Sequence, residues 1–173
     1  EFVEIELAEP MEVEKAALAL DAALPRGIRV LAADAVDTHH AALMSQAPGA
    51  SYRITLPYSK DVSAAVAEFN AAPELLFKKA APKTKAKFKE IDVKFYIPQL
   101  TAEQTETETI FSFDCKITPT GSMKAVDLLN ALNEQYGLAL PVEMADIERL
   151  RLYRNNKNGK PIPMLNSDAV TLG

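Results

Sequence analysis

Few residues of this chain have the types and spacing that catalysis or metal binding requires. The two histidines, His39 and His40, are adjacent, and adjacent side chains of an extended segment point to opposite sides. No cluster of cysteines or carboxylates at metal-ligand spacing accompanies them. We therefore expect both histidines to be surface residues of a connecting segment, and we predict no metal site.

The single cysteine and the scattered glycines argue against other common sites. Cys115 alternates with Phe113 and Ile117, which indicates a buried, unreactive thiol. One cysteine cannot form an intrachain disulfide or a multi-cysteine metal site. The sequence has no Gly-x-Ser-x-Gly motif, no P-loop and no Gly-x-Gly-x-x-Gly motif. We therefore predict no catalytic residue, no cofactor and no enzymatic activity for this chain.

A lysine-rich segment, Lys78 to Lys94, is the strongest functional signal in the sequence. It holds seven lysines against Glu90 and Asp92, a net charge of +5, whereas the rest of the chain has twelve basic and twenty-two acidic residues, a net charge of −10. Alternate lysines from Lys83 to Lys89 would form one row in an extended chain, at a spacing of ~6–7 Å. Such a row suits a phosphate backbone.

Basic residues at polar positions of predicted strands could extend this surface, because a sheet face that helices leave open can bind RNA. The candidate nucleic-acid-binding residues are Lys78, Lys79, Lys83, Lys85, Lys87, Lys89, Lys94, Arg53, Arg149 and Arg151. The alternative is a flexible basic loop that keeps the protein soluble and guards a sheet edge. The pI of 5.1 argues against a strong independent nucleic-acid binder.

Apolar periodicity predicts the elements that would position these residues. In the first part of the chain it indicates a strand over 1–7, a helix over 13–24 and a strand over 28–36. After a segment with little pattern, a strand over 52–56 and a helix over 62–69 follow.

Around and after the lysines, the pattern predicts a short strand over 74–79 and a long hairpin with strands at 91–97 and 111–117. A helix would then begin at Ser122 as its N-cap, with Val126, Leu129, Leu132 and Tyr136 on its buried side. A last strand is predicted over 146–154.

This order indicates an α+β protein with tandem ferredoxin-like βαββαβ units, antiparallel sheets and helices on one face. Residues 1–38 would be the C-terminal half of a first, incomplete unit, 39–50 a linker, 51–155 a second unit with the long hairpin, and 156–173 a tail. Because the chain opens inside a predicted strand, we expect an N-terminal part of the protein to precede it. No run reaches the ~20 apolar residues of a membrane span, and no signal peptide is visible, so we predict a cytoplasmic protein without membrane contact.

Four short blocks resemble successive blocks of one bacterial family. They are Glu1-Phe2-Val3-Glu4-Ile5-Glu6-Leu7, Leu24-Pro25-Arg26-Gly27-Ile28-Arg29-Val30, Tyr52-Arg53-Ile54-Thr55-Leu56 and Lys87-Phe88-Lys89-Glu90-Ile91-Asp92-Val93. Over residues 1–155 the chain thus resembles the domain of unknown function of radical-SAM-linked proteins, which is often fused to, or encoded beside, a radical SAM enzyme. Members carry a His-Leu-Asp segment and a Ser-Glu-Gly-Phe-Asn-Pro-His-Pro-like motif upstream. This chain contains neither, so no catalytic residue is carried over.

The resemblance implies an accessory, non-catalytic domain that works with a radical SAM enzyme or domain. Together with the lysine segment, it gives a first hypothesis that the chain helps this partner to hold RNA or another polyanionic substrate. The second hypothesis is a protein–protein module that docks on the radical SAM partner without nucleic-acid contact, through the strand over 1–7 or the long hairpin. An enzymatic role of the full-length protein is left open.

Overall fold

In a computed structural model of the protein, the chain is divided into two structural units. The structure describes residues 2–37, 39, 41–58, 60–80 and 87–172, the side chains of Met44 and Ala80 excepted. The terminal unit comprises Glu1–Ala47 and Arg154–Gly173, and the central unit comprises Pro48–Tyr153. The part of the chain that the structure describes contains four α-helices and antiparallel sheets, which confirms the predicted α+β class.

The helices are α1 (Val13–Ala23), α2 (Ser63–Ala71), α3 (Val93–Tyr96) and α4 (Ala125–Tyr136). The strands are β1 (Ala32–Ala33), β2 (Gly49–Leu56), β3 (Leu76–Ala80), β4 (Phe88–Asp92), β5 (Leu100–Gln104), β6 (Thr109–Thr118), β7 (Gly121–Ser122), β8 (Asp146–Asn155), β9 (Pro161–Pro163) and β10 (Val170–Thr171). The helices predicted over 13–24 and 62–69 are confirmed as α1 and α2, and β2, β3, β6 and β8 confirm four predicted strands. Within the described ranges, no helix is long and apolar enough to cross a membrane.

The terminal unit differs most from the predicted pattern. The predicted strand over 1–7 is wrong for its described residues: no strand pairing includes residues 2–7, and Val3 is 76% exposed. Alternating apolar residues form a strand only where a neighbouring strand supplies backbone hydrogen-bond partners. The strand predicted over 28–36 is reduced to β1, which pairs antiparallel with β10. The predicted tail therefore contributes a strand to this unit.

The central unit is built on an antiparallel sheet with the strand order β5-β6-β2-β8. Ile54 of β2 and Phe111 of β6 lie opposite each other in the register, and both are fully buried. They pack in one apolar core with Phe69 of α2 and with Leu128 and Leu129 of α4. Because side chains alternate along a strand, the polar residues between them lie on the opposite, open face of the sheet.

The long hairpin is formed by other residues than predicted. Its second strand is β6, but its first strand is β5 and not residues 91–97. Residues 93–96 form the short helix α3, whose first turn is capped because the Asp92 carboxylate accepts a hydrogen bond from the Lys94 N–H at 3.0 Å. Pro98 lacks an N–H, so the ladder of the sheet resumes only at β5.

Helix α4 confirms the last predicted helix but begins later than expected. Ser122 is not its N-cap, because this residue lies in β7 and pairs with Ile117 of β6. The helix begins after Lys124. Leu129 and Leu132 are buried as predicted, and Ala125 and Leu128 are buried with them. Val126, predicted on the buried side, is 39% exposed.

Candidate functional site

Strands β3 and β4 form a separate two-stranded sheet, which positions part of the predicted basic row. Its described residues, 76–80 and 87–92, are here called the lysine hairpin. The register places Lys78 opposite Glu90 and Lys79 opposite Lys89, and Lys87 directly precedes β4. The side chains of Lys78, Lys87 and Lys89 are exposed. Lys83 and Lys85 lie outside the described residues, as does His40.

Lys79 has a different environment from its neighbour Lys78. Because the two residues are adjacent in a strand, they lie on opposite faces of the hairpin, and Lys79 shares its face with the buried Phe77. The Lys79 ammonium lies 2.5 Å from the carboxylate of Asp127, a residue of α4 that is only 8% exposed. Lys79 therefore connects the hairpin to the core.

Lys94 is also held within the central unit. Its ammonium donates a hydrogen bond to the Pro98 carbonyl oxygen at 2.5 Å and lies 4.5 Å from the centroid of the buried Phe69 ring. Burial lowers the pKa of Lys94, and the nearby Asp92 carboxylate opposes this effect. These contacts separate Lys94 from the exposed lysines.

Two exposed aromatic rings lie beside the lysines, and neither was predicted from the sequence as a site residue. Phe88 is 60% exposed and stands between Lys87 and Lys89, and Phe95 of α3 is 50% exposed. Because Phe88 and Lys89 are adjacent in β4, their side chains lie on opposite faces of the hairpin. Phe95 directly follows Lys94, and an aromatic residue beside a basic one was the sequence signal available for it.

A cavity of about 200 Å³ lies between β4 and α3 and combines these features. Its lining residues are Lys89, Glu90, Ile91, Asp92, Phe95 and Tyr96. The ring of Phe95 meets the ring of Tyr96 edge to face, with centroids 5.0 Å apart and planes at 88°, a favoured aromatic geometry. The Lys116 ammonium lies 5.2 Å from the centroid of Phe95.

The predicted arginines do not form a basic patch on the open face of the sheet. The Arg53 guanidinium lies 3.6 Å from the carboxylate of Glu148. The Arg151 Nε–H donates to the hydroxyl of Ser51 at 3.1 Å, and that hydroxyl donates to the carboxylate of Asp114. Arg149 is half-buried and lies opposite Tyr52. Arg53 thus has an acidic partner, and Ser51 links Arg151 to the carboxylate of Asp114.

Nucleophilic chemistry receives no support from the geometry of Cys115. The thiol is 1% exposed, which confirms the predicted burial, and burial raises its pKa, so the reactive thiolate is disfavoured. Burial also raises the pKa of Tyr153, and the negative charge of Asp114 adds to this effect. In the described ranges, no three or more His, Cys, Asp or Glu side chains lie close enough together to hold a metal ion.

Comparison with known proteins gives one match. No curated protein and no solved structure matches the chain. The sequence profile of the family DUF2344, described as an uncharacterized protein conserved in bacteria, matches residues 1–128. This range includes the lysine hairpin, the cavity beside it and the first turn of α4. The chain therefore belongs to this conserved bacterial family.

Proposed function

We propose that the chain is an accessory, non-catalytic domain of a radical SAM enzyme system and that it binds RNA or another polyanionic substrate through the lysine hairpin. The observation that carries this proposal is the segregation of charge, with a net of +5 over residues 78–94 in a chain of net charge −5. Three of these lysines, Lys78, Lys87 and Lys89, expose their side chains. Exposed ammonium groups on one short element are suited to a polyphosphate backbone. Because Lys78 and Lys89 lie on opposite faces of the hairpin, the backbone would pass around its edge to meet both.

The link to a radical SAM enzyme is supported by the resemblance of the four sequence blocks. For the fold, we propose that the central unit is ferredoxin-like. The support is the strand order β5-β6-β2-β8, with α2 in the connection from β2 to β5 and α4 in the connection from β6 to β8. This is the arrangement expected for a βαββαβ unit. The lysine hairpin is then an insertion after α2.

A fluorescence-anisotropy titration with labelled transfer or ribosomal RNA at low salt tests the binding proposal. We expect the triple substitution K78A/K87A/K89A to weaken binding by about tenfold or more, since phosphate contacts dominate such affinities. The triple substitution K124A/K157A/K160A removes the same charge from exposed positions elsewhere and serves as the control. Equal losses in both variants, or no binding by the unmodified protein, would contradict the proposal.

A second candidate function is a protein–protein module that docks on the radical SAM enzyme without nucleic acid. The observation that favours it is the exposure of three apolar side chains in one short segment, Val3, Ile5 and Leu7, at 76%, 55% and 46%, since exposed apolar surface of this kind is typical of interaction sites. Co-purification of the two proteins after nuclease treatment, lost on replacing all three residues with Ser, is the expected result. Retention of the complex in that variant would contradict docking through this segment.

A further inference from the structure

We infer that the cavity between β4 and α3 receives one unstacked base of a single-stranded polynucleotide, with the Phe95 ring as its stacking surface. The inference rests on the proposed function, because the lysines beside the cavity would hold the phosphates of the same strand. Beyond the proposed function, it specifies single-stranded nucleic acid as the ligand and Phe95 as the residue that would distinguish a single strand from a duplex.

The position of Phe95 suits it to stacking. Its ring is 50% exposed in the wall of the cavity, and the edge-to-face contact with Tyr96 limits its movement. A rigid, exposed aromatic ring offers a flat surface to any base, since every base has a π face. The apolar side chain of Ile91 lines the same cavity and adds to its apolar surface.

Lysine side chains lie near the Phe95 ring, where the nucleic-acid strand would continue on either side of the stacked base. Lys89 lines the cavity, and Lys116 of β6 places its ammonium 5.2 Å from the Phe95 centroid. Lys87 lies two residues before Lys89 and is exposed. A base on Phe95 would therefore have ammonium groups near its flanking phosphates.

The cavity lining also contains two carboxylates, those of Glu90 and Asp92. Asp92 uses its Oδ1 atom to accept hydrogen bonds from the N–H groups of Leu75 and Lys94, at 3.2 and 3.0 Å. Glu90 lies opposite Lys78 in the register of the hairpin. Both acidic groups thus have cationic or N–H neighbours of their own.

A stacking site of this kind discriminates between single strands and duplexes. The bases of a duplex are already stacked and paired, whereas those of a single strand can turn outward onto an aromatic side chain. Duplex RNA would meet only the lysines. The substitution F95L, which removes the aromatic ring and keeps an apolar side chain, separates the two contributions.

The test is an anisotropy titration of F95L with a labelled single-stranded RNA and with the duplex of the same sequence. We expect F95L to weaken single-strand binding roughly tenfold, as the loss of one stacked base predicts, and to change duplex binding less than twofold. F88L, at an exposed phenylalanine of the hairpin that does not line the cavity, is the matched control and should leave the single-strand preference intact. Circular dichroism verifies that each variant is folded.

A second readout uses the absence of tryptophan from this chain. In F95W the new indole is the only one, and a base stacked on it should quench its fluorescence more strongly than the same RNA quenches F88W. RNA binding that is lost in K78A/K87A/K89A but unchanged in F95L, without quenching of F95W, would overturn this inference and leave the proposed function standing. If the unmodified protein binds no RNA, both fail.

Discussion

Lys78 and Lys79 are adjacent in the sequence, but their side chains lie on opposite faces of β3 and have different environments. Lys78 is exposed, whereas Lys79 pairs with Asp127 across to α4. The sequence predicted both residues as members of one binding surface, because composition cannot show which face of a strand packs on a core. The apolar neighbour Phe77 was the available signal, since residues 77 and 79 of a strand lie on the same side.

Gly49 also has a role that the sequence did not reveal. A Cβ at this position would lie 2.7 Å from Cζ of Tyr153, closer still to its Oη, and 3.0 Å from the carbonyl oxygen of Cys115. The glycine therefore allows the Tyr153 ring to pack against β2, where Tyr153 is its register partner.

We expect G49A to lower the free energy of unfolding by about 1–3 kcal/mol, the usual cost of overpacking. Urea denaturation monitored by circular dichroism measures this change. In a Y153A background the same substitution should cost clearly less, because the clash is then absent. An equal cost in both backgrounds would show that Tyr153 is not the obstacle.

At the scale of elements, the sequence predicted the buried strands and the long helices better than the edges. β6 alternates Phe111, Phe113 and Cys115 between polar residues and was recognised for this reason. β5 was read as a polar loop because it is an edge strand, with Leu100 as its one fully buried residue. The apolar run at 91–97 was misread because the Asp92 cap and Pro98, and not its alternation, decide its conformation.

The Lys79–Asp127 ion pair joins two such elements, and its removal should destabilise the central unit. We expect K79M to lower the free energy of unfolding by about 1–3 kcal/mol, because a buried carboxylate then loses its partner. K78M changes the same residue type on the exposed face and should stay within about 0.5 kcal/mol of the unmodified protein. Urea denaturation compares the two variants.

The two substitutions should affect RNA affinity in the opposite order to their effect on stability. K78M is expected to weaken binding and K79M to leave it nearly unchanged in a folded sample, since only Lys78 is exposed. If K79M proved as stable as K78M, the ion pair would not contribute to holding the hairpin on the core.

At the scale of the whole molecule, the sequence predicted the α+β class and most elements of the central unit. It did not predict that residues after 153 pair with the segment before residue 48, because β1 and β10 are two residues long and carry no periodic signal. Nor could it show that Arg53 lies beside Glu148, or that Ser51 links Arg151 to Asp114, since these contacts depend on the register of the strands.

Because positive charge is concentrated in the lysine hairpin, the salt dependence of RNA binding is the most direct test of polyanion binding by this element. The dissociation constant for single-stranded RNA is measured at several salt concentrations for the unmodified protein, K78A/K87A/K89A and K124A/K157A/K160A. Counterion release predicts that the slope of log K against log salt becomes shallower by about 2 when three phosphate contacts are lost. We expect this change in the hairpin variant alone. Identical slopes in all three proteins would contradict binding through the lysine hairpin.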